Sequence, residues 1–355
     1  MYRAGAPRIT LALMAYNQMR WIGRALESAL AQRFDGLEII VNDDASSDGT
    51  AQIIRDMARR YTGPHGLRLN FNETNIGLVP SLNRAFRLAS APFVVVAAGD
   101  DISLPNRVET IAGIVAQPGE PVMAVVSDAI AVDQAGRRLG YIDNRAASAA
   151  LSAAGFAERG GYINGAAAGY SRRLVEVFGD IDPRARAEDS VLPFRAALLG
   201  RVVHIPHPLI LRRIHAGSMS GGDPGREYWL RNMRPALYAL RSRARDAGHP
   251  DVVMLRGADE VAALRQAIAR SAVWQDAMIG LLERRLGAVA CAIGVVLKQG
   301  RPPLPAAKTI LTLRWPGLWK LNRHIRGLIR QALRIGRRPA RGGDVAAAVG
   351  SGRRN

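Results

Sequence analysis

Short apolar runs and amphipathic stretches alternate along the first 130 residues. Runs rich in Val, Ile, Leu and Ala predict five β-strands, at Ile9–Met14, Leu37–Asn42, Leu67–Phe71, Phe93–Ala98 and Val122–Ala131. Between the first four runs, apolar positions recur every three or four residues and predict helices at Trp21–Ala31, Thr50–Tyr61 and Pro80–Ala89. This βαβα order predicts a doubly wound α/β fold, with a mostly parallel sheet flanked by helices.

The pattern changes in the second half of the chain. Ala, Ser and Gly dominate residues 140–161, which we expect to form a mobile loop with one short helix. Residues 226–297 follow a helical period, and Pro and Arg are frequent from residue 300 onward. We therefore expect an α/β domain over residues 1–222, a helical extension over 223–300 and a basic tail over 301–355 that is partly amphipathic and partly disordered.

Charge separates the tail from the rest of the chain. The net charge is +19, but residues 301–355 hold 13 Lys or Arg and one acid, so the first 300 residues carry only +7. Within Leu318–Ile335, arginines alternate with apolar residues next to Trp315 and Trp319. This pattern predicts a helix on an anionic membrane surface, although a solvated basic helix fits it too.

Several features bear on localisation. The longest apolar run, Leu286–Leu297, has 12 residues, fewer than the ~18 needed to span a bilayer. Residues 1–8 are short and polar, so we expect no secretory signal. The single cysteine, Cys291, allows no intrachain disulfide and fits a reducing compartment. We expect a cytoplasmic protein, peripheral on the inner face of the membrane.

Polar side chains follow three of the predicted strands at the point where each strand ends. They are Asn17 after the first, Asp43 and Asp44 after the second, and Asp100 and Asp101 after the fourth. Open α/β sheets bind ligands just beyond the carboxyl ends of their strands. Adjacent carboxylates also repel each other unless something binds them. The sequence therefore predicts one binding site at this edge.

The first strand is followed by no glycine-rich phosphate loop, so a divalent cation held by carboxylates is the expected means of neutralising a diphosphate. Helix capping is the structural alternative. It applies to Asp48 and Thr50, and also to Asp100 and Asp101, which precede the helix entering at Pro105.

A further acidic pair, Glu188 and Asp189, precedes an apolar run. A carboxylate beside a metal-bound diphosphate can take the proton from an acceptor hydroxyl as that hydroxyl attacks. The alternative is structural, because acids also favour the first turn of a helix through the helix dipole.

Together these segments resemble the family 2 glycosyltransferases, which have the Rossmann-like GT-A fold. IIVNDDASSDGT (residues 39–50) resembles the donor-binding strand of the family, and TLALMAYN (10–17) resembles its first strand. AAGDDISLP (97–105) resembles its DXD region, and NIG (75–77) with Asn83 resembles its N-x-G and following Asn. VDQAG (132–136) resembles its reverse turn. The resemblance covers residue 8 to about residue 220. Ala98 departs from the first acid of the usual D-x-D-D form.

The resemblance implies a donor site. Asp43 or Asp44 would hold the nucleobase, and Tyr16 and Asn17 would line the same pocket. The resemblance also places Asn75 on the donor side.

The resemblance further implies a metal and a base. Asp100 and Asp101 would face the ribose and a Mn²⁺ or Mg²⁺ ion on the diphosphate. Asp189 would be the general base. His215, a metal ligand, and Arg213, a phosphate clamp, would close over the diphosphate, although a lone His is also often structural. Asn164, Gly165 and Glu188 would line the acceptor side.

These features predict an inverting glycosyltransferase that moves a sugar from a UDP-linked donor to a hydroxyl of a glycan or lipid-linked acceptor in cell-surface polysaccharide synthesis. A nucleotidyltransferase fits less well, because residues 12–20 lack a glycine-rich triphosphate loop. The other alternative is a polyanion- or membrane-binding protein with a catalytically inactive glycosyltransferase-like domain. We expect no nucleic-acid partner, because the tail has few aromatic residues spaced for base stacking.

Overall fold

The computed structural model describes residues 9–144, 151–159, 163–185, 188–215 and 226–282. It confirms the predicted elements of the first half to within two residues at each end. They are β1 (Ile9–Ala15), α1 (Ile22–Leu30), β2 (Glu38–Asp43), α2 (Thr50–Arg60), β3 (Gly66–Phe71), α3 (Leu78–Leu88), β4 (Phe93–Ala98) and, further along, β6 (Val122–Val132).

The remaining elements complete the sheet and add helices. They are β5 (Ile102–Ser103), α4 (Arg107–Val115), β7 (Arg138–Ile142), α5 (Ala153–Arg159), β8 (Ala168–Ser171), α6 (Arg173–Phe178), α7 (Leu192–Leu199), β9 (Arg201–Arg213), α8 (Arg226–Ala247), α9 (Pro250–Arg256) and α10 (Ala258–Leu282). Three short 3-10 turns lie at Gly165–Ala167, Pro183–Ala185 and Glu188–Ser190.

Two predictions for the second half are refined. Residues 140–142 are not loop but the end of β7, because they pair with β6, whereas α5 is the expected short helix. The helical prediction from residue 226 is confirmed as far as Leu282. Residues 283–355, including the basic tail, lie outside the described residues, as does the expected domain boundary at residue 222.

The strands form one sheet in the order β3-β2-β1-β4-β8-β6-β9-β5, and β7 pairs with residues 129–132 of β6. The first four strands are parallel, as predicted. Beyond β4 the sheet is mixed, because β8 runs antiparallel to both β4 and β6. Since β6 and β9 are parallel to each other, the carboxyl ends of β1, β2, β4, β6 and β9 all lie along one edge.

Helices bury both faces of the sheet. Successive residues of β1 alternate between two apolar clusters, with Leu11 and Leu13 in one and Ala12 and Met14 in the other. Helices α1, α2 and α4 cover the first cluster, and α3 and α5–α10 cover the second. This burial on both sides explains why the central strands read as continuous apolar runs.

The extension helices share this second core. Helix α10 packs on α5 and α8, and α8 contacts α7. Arg195 of α7 joins the two parts because its Nε lies 2.8 Å from Asp246 Oδ2 on α8, with both side chains almost fully buried. The described residues belong to one compact unit. Within them, no helix combines the length and apolarity required to cross a membrane.

The buried Arg195–Asp246 pair allows a stability test. We expect Arg195→Met to lower the free energy of unfolding by about 3–5 kcal/mol, because it leaves the Asp246 carboxylate buried without its counter-charge. The double variant Arg195→Met/Asp246→Leu removes both charges and should recover much of that loss. Urea unfolding of the wild type, both single variants and the double variant measures the coupling. Additive losses would contradict the expectation.

Candidate functional site

The Asp pair after β2 organises two loops. The Asp44 carboxylate is buried and accepts hydrogen bonds from Asn72 Nδ2 (2.8 Å), Ile76 N (3.0 Å) and Gly77 N (2.8 Å). Asn75 is exposed on the same loop, and its Oδ1 accepts a hydrogen bond from Gly77 N at 3.1 Å. Asp44 therefore fixes the loop that presents Asn75.

Asp43 and Asn17 join the ends of β2 and β1. Asp43 accepts hydrogen bonds from Ser46 N at 3.1 Å and Ser46 Oγ at 2.5 Å. Asn17 N donates to Ser46 Oγ at 2.8 Å, and Asn17 Oδ1 accepts from Ser47 N at 2.8 Å. Tyr16 beside them is 48% exposed. The structure thus brings Tyr16, Asn17 and Asp43 together at the edge, and their contacts with a donor stay predictions.

The N-cap residue of α2 is Gly49, not Asp48 or Thr50, although Asp48 does bind the first residue of the helix. The Asp48 carboxylate accepts hydrogen bonds from Thr50 N (3.0 Å) and Thr50 Oγ1 (2.5 Å) at the start of α2, and from Met19 N (3.0 Å). Thr50 Oγ1 in turn accepts from Gln18 N at 2.8 Å. These bonds tie the start of α2 to the segment before α1.

The structure brings Asp100 and His215 together, although 115 residues separate them. His215 Nε2 lies 2.9 Å from Asp100 Oδ2, with side chains 10% and 15% exposed. Asp101 is more deeply buried, and its Oδ1 accepts a hydrogen bond from Arg213 N at 2.7 Å. Both side chains are partly exposed and could hold a cation between them, because a carboxylate–imidazole set suits Mn²⁺.

Asp101 and Arg107 form the buried base of this site. Burial, and then the charge of Asp100, raise the pKa of Asp101 to about 7. Arg107 is fully buried, and its guanidinium donates to Ser103 Oγ (3.0 Å), Val96 O (2.7 Å) and Ala166 O (2.8 Å). Burial lowers the pKa of Arg107 to about 10, against the opposing effect of the Asp101 charge. Arg107 therefore stays charged at neutral pH and links the acidic pair to the turn at 165–167.

Arg213 holds two turns in place. Its Nε donates to Asp100 O at 2.9 Å, and its Nη1 donates to Asp133 O at 2.8 Å and Gln134 O at 3.2 Å. These bonds connect the turn after β4 to the turn between β6 and β7. The structure accounts for Arg213 as an anchor, and its role as a phosphate clamp stays a prediction.

The sequence interpretation missed Trp21. Its ring lies 4.4 Å from the ring of His215, at an angle of 37°, and the guanidinium of Arg213 lies 5.8 Å from its centre. Trp21 therefore helps to set the orientation of His215. Its position was the available signal, because it is a large aromatic residue four positions after Asn17, at the edge where the strands end.

The second acidic pair lies in a 3-10 turn rather than in a helix. Glu188 and Asp189 form the turn Glu188–Ser190, and α7 begins only at Leu192. The pair lies at the start of this 3-10 turn and not in α7, so the structural alternative stays open beside the role as base. Ile163 N donates to Asp189 O at 3.0 Å and brings residues 163–165 alongside.

Glu188 is buried against Gly165. A Cβ atom at position 165 would lie 1.8 Å from Glu188 Oε1, so the close approach requires glycine. Burial, and then the charge of Asp189, raise the pKa of Glu188 to about 7. Glu188 Oε2, Asn164 Nδ2 and Tyr170 OH are buried and lack hydrogen-bond partners within the described part of the chain. Asn164, Gly165, Glu188 and Asp189 thus lie together, as predicted, and their acceptor-side and base roles stay predictions.

A third polar cluster was also missed. The ligand-type atoms of Asp128, Asp143 and His204 lie within 4.8 Å of one another, a spacing that could hold a metal ion. Asp128 already accepts hydrogen bonds from Tyr141 OH (2.6 Å) and Asn144 N (2.8 Å), and His204 Nε2 is 2.8 Å away. Burial opposes the effect, yet the bonds from Tyr141 and His204 keep the pKa of Asp128 below its ordinary value. The signal was a polar pair inside a buried strand, at residues 127–128.

Comparisons with known proteins agree with this geometry. Residues 10–178 match the family model Glycosyl transferase family 2. EpsE of Bacillus subtilis is 35% identical over 103 residues, which are 29% of this chain and 36% of that one. The alignment thus spans about a third of the length of that relative.

Two solved structures share the fold. The mannosyltransferase PcManGT of Pyrobaculum calidifontis, in complex with GDP-Man and Mn²⁺, has a TM-score of 0.55 and 21% identity, over 90% of this chain and 82% of that one. TarS residues 1–349 of S. aureus, in complex with UDP-GlcNAc, has a TM-score of 0.52 and 17% identity, over 83% and 92% of the two chains. At these identities the likeness shows the fold, which is that of the GT-A glycosyltransferases. Residues 10–178 thus form a family 2 glycosyltransferase domain.

Proposed function

We propose that the chain is an inverting glycosyltransferase, which moves a sugar from a nucleotide-sugar donor to a hydroxyl of a glycan or lipid-linked acceptor in cell-surface polysaccharide synthesis. One observation carries the proposal. Both acidic pairs connect to the turn at residues 165–167, because Arg107 interacts electrostatically with Asp101 and donates to Ala166 O, and Glu188 packs against Gly165. This shared turn supports a site in which one pair serves the cation and the other supplies the base.

The donor side rests on the loops after β1, β2 and β3. Asp44 is committed to three donors, so we assign the contact with the nucleobase to Asp43. Tyr16 and Asn17 stand beside it, and Asn75 is exposed across the loop that Asp44 fixes. The complexes of PcManGT with GDP-Man and of TarS with UDP-GlcNAc support a nucleotide-sugar donor here and leave both nucleotides as candidates, including the UDP expected from the resemblance.

Asp100 and His215 would hold the divalent cation, Mn²⁺ or Mg²⁺, and Asp101 would support them from beneath. Asp100 is the better direct ligand, because Asp101 is more buried and Arg213 N already occupies one of its oxygens. When bound, the cation neutralises negative charge on the diphosphate. The Mn²⁺ in the PcManGT complex supports this assignment.

Asp189 would act as the general base. The acceptor oxygen forms a bond to the anomeric carbon, the bond from that carbon to the diphosphate oxygen breaks, and the acceptor proton passes to the Asp189 carboxylate. Burial raises the pKa of its neighbour Glu188 to about 7, so below that pH Glu188 is mostly protonated and adds little negative charge beside Asp189. Attack from the face opposite the diphosphate accounts for inversion.

The alternative is a polyanion- or membrane-binding protein with an inactive domain. Two features of the sequence favour this alternative, namely Ala98 in place of the first acid of the family's D-x-D-D form and the basic tail. The tail lies outside the described residues, so an anionic membrane surface stays a prediction from the sequence.

Donor binding tests the proposal and the alternative together. We expect UDP-GlcNAc or GDP-Man to bind with Mn²⁺ and to lose at least about tenfold in affinity with EDTA, because the diphosphate charge is then unscreened. Asp100→Ala should weaken binding similarly, whereas Asp56→Asn on the surface of α2 should not. Isothermal titration calorimetry measures the donor affinity with and without Mn²⁺ and in each variant. If no nucleotide sugar binds while the chain sediments with anionic liposomes, the alternative replaces the proposal.

Asp189→Asn tests the base. We expect the turnover number to fall by about 10²- to 10⁴-fold while the KM for the donor changes little, since the base acts on the acceptor. Asp182→Asn, which removes a carboxylate paired with Arg184, serves as the control and should retain activity. Steady-state transfer rates at saturating donor give the comparison. A loss of less than tenfold in Asp189→Asn would exclude it as the base.

The buried Glu188 makes stability depend on pH. Its pKa in the folded protein is about 7, above the ordinary 4.5, so the folded state holds this proton more tightly than the unfolded state. Stability from this group is therefore greatest below pH 4.5 and is lost as pH rises to about 7. Between pH 5 and pH 8 we expect the wild type to lose on the order of 2 kcal/mol relative to Glu188→Gln. Urea unfolding across this range decides it, and parallel curves would show that Glu188 titrates normally.

A further inference from the structure

Arg243, a buried residue of helix α8, contacts the turn Glu188–Ser190, which we call the acidic turn. Arg243 is 1% exposed, and its Nε and Nη2 both donate to Ser190 O, at 2.9 and 2.5 Å. Its Nη1 donates to Phe156 O on α5 at 2.9 Å. Two parallel donors on one carbonyl fix that carbonyl in direction as well as in distance.

The hydrogen bonds from Arg243 to Ser190 O complete a set of hydrogen bonds to the carbonyls of the acidic turn. Val191 N donates to Glu188 O at 3.0 Å, and Ile163 N donates to Asp189 O at 3.0 Å. Each of the three carbonyls of the turn is therefore bound, and Arg243 supplies the bond to the third. Among these three contacts Arg243 alone brings a charge, so its loss would change the electrostatics of the turn as well as its shape.

Among the described residues, Glu188, Tyr170 and Arg243 interact electrostatically with Asp189. Glu188 has a raised pKa of about 7, and burial first, then Glu188 and Asp189, hold the pKa of Tyr170 well above 10. Burial lowers the pKa of Arg243 to about 10, while the Asp189 charge raises it, so Arg243 is cationic at neutral pH. Of the three, Arg243 is thus the group that favours the ionised form of Asp189.

We propose that Arg243 is a positioning residue for Asp189, which it places through Ser190 O and keeps ionised through its charge, so that the helical extension completes the catalytic site. The inference rests on the proposed function, since it gives Asp189 the role of base. It assigns to the extension a part in the reaction beyond packing.

The chain offers a matched control. Arg195 is as deeply buried as Arg243, and its guanidinium also donates to a backbone carbonyl, that of Gly179 at 2.7 Å, but it pairs with Asp246 and not with a residue of the acidic turn. Arg195→Met and Arg243→Met should therefore both lower the thermal unfolding temperature. A general loss of stability would appear in both variants, and a positioning effect in Arg243→Met alone.

The first readout is the pH profile of turnover for UDP-GlcNAc or GDP-Man with Mn²⁺, using whichever the wild type turns over. In Arg243→Met we expect turnover to fall by about 10- to 100-fold with donor KM within threefold. Its acid limb should move up by about one pH unit, because Asp189 is then protonated more readily. Arg243→Lys keeps the charge and should retain the wild-type acid limb. An acid limb in Arg243→Met that coincides with those of the wild type and Arg195→Met would overturn the proposal.

The second readout needs no donor. Hydrogen exchange of the Val191 amide reports the closure of the turn, since this amide binds Glu188 O. Exchange should be faster in Arg243→Met than in Arg195→Met under conditions where both are folded. Equal exchange rates in the two variants would refute the claim that Arg243 stabilises the acidic turn, even if the wild type is active. A wild type that turns over no nucleotide sugar would instead refute the proposed function, and faster exchange at Val191 would then still support the grip of Arg243.

Discussion

Buried arginines that donate to backbone carbonyls connect the helices and turns of the described residues, and two of them contact the proposed site. Arg107, Arg195 and Arg243 are among the largest fully buried side chains of the described residues. Arg107 binds carbonyls of β4 and of the turn at 165–167, and Arg243 binds those of the acidic turn and of α5. A buried guanidinium is costly unless its donors are satisfied and an opposite charge is near. Each arginine therefore fixes backbone and carboxylate together.

The same buried arginines also place a positive charge near three carboxylates. Arg107 interacts with Asp101, Arg195 with Asp246, and Arg243 with Asp189. Two of these acids have an acidic neighbour in sequence, and without a cation nearby the repulsion within each pair would be larger. One carboxyl group of each pair, Asp101 and Glu188, is buried and has a raised pKa of about 7. Burial thus shifts the protonation of these two groups.

The sequence predicted what depends on local periodicity and on parallel strand order. The first four strands and the gathering of Asn17, Asp43 and Asp100 at one edge follow from these patterns. Strand β8 could not be predicted, because AGYS is four residues long and mostly small. Neither could Arg243, which reaches Ser190 across 53 residues and stands in a helix that also carries Arg241 and Arg245. Periodicity does not say which arginine of such a helix is buried, since that depends on tertiary packing.

The departure at Ala98 takes on a physical meaning within the proposed function. Ala98 O accepts a hydrogen bond from Asp101 N at 3.1 Å, so the turn forms without an acid at that position. A third carboxylate would add repulsion at a site where Asp101 already has a raised pKa. With Asp100 and His215 as ligands, the protein would supply fewer charges than a closed cation site has, and phosphate oxygens of the donor would complete the set. Binding of the cation and of the donor would thereby be coupled, which suits a cation that serves only to neutralise the diphosphate.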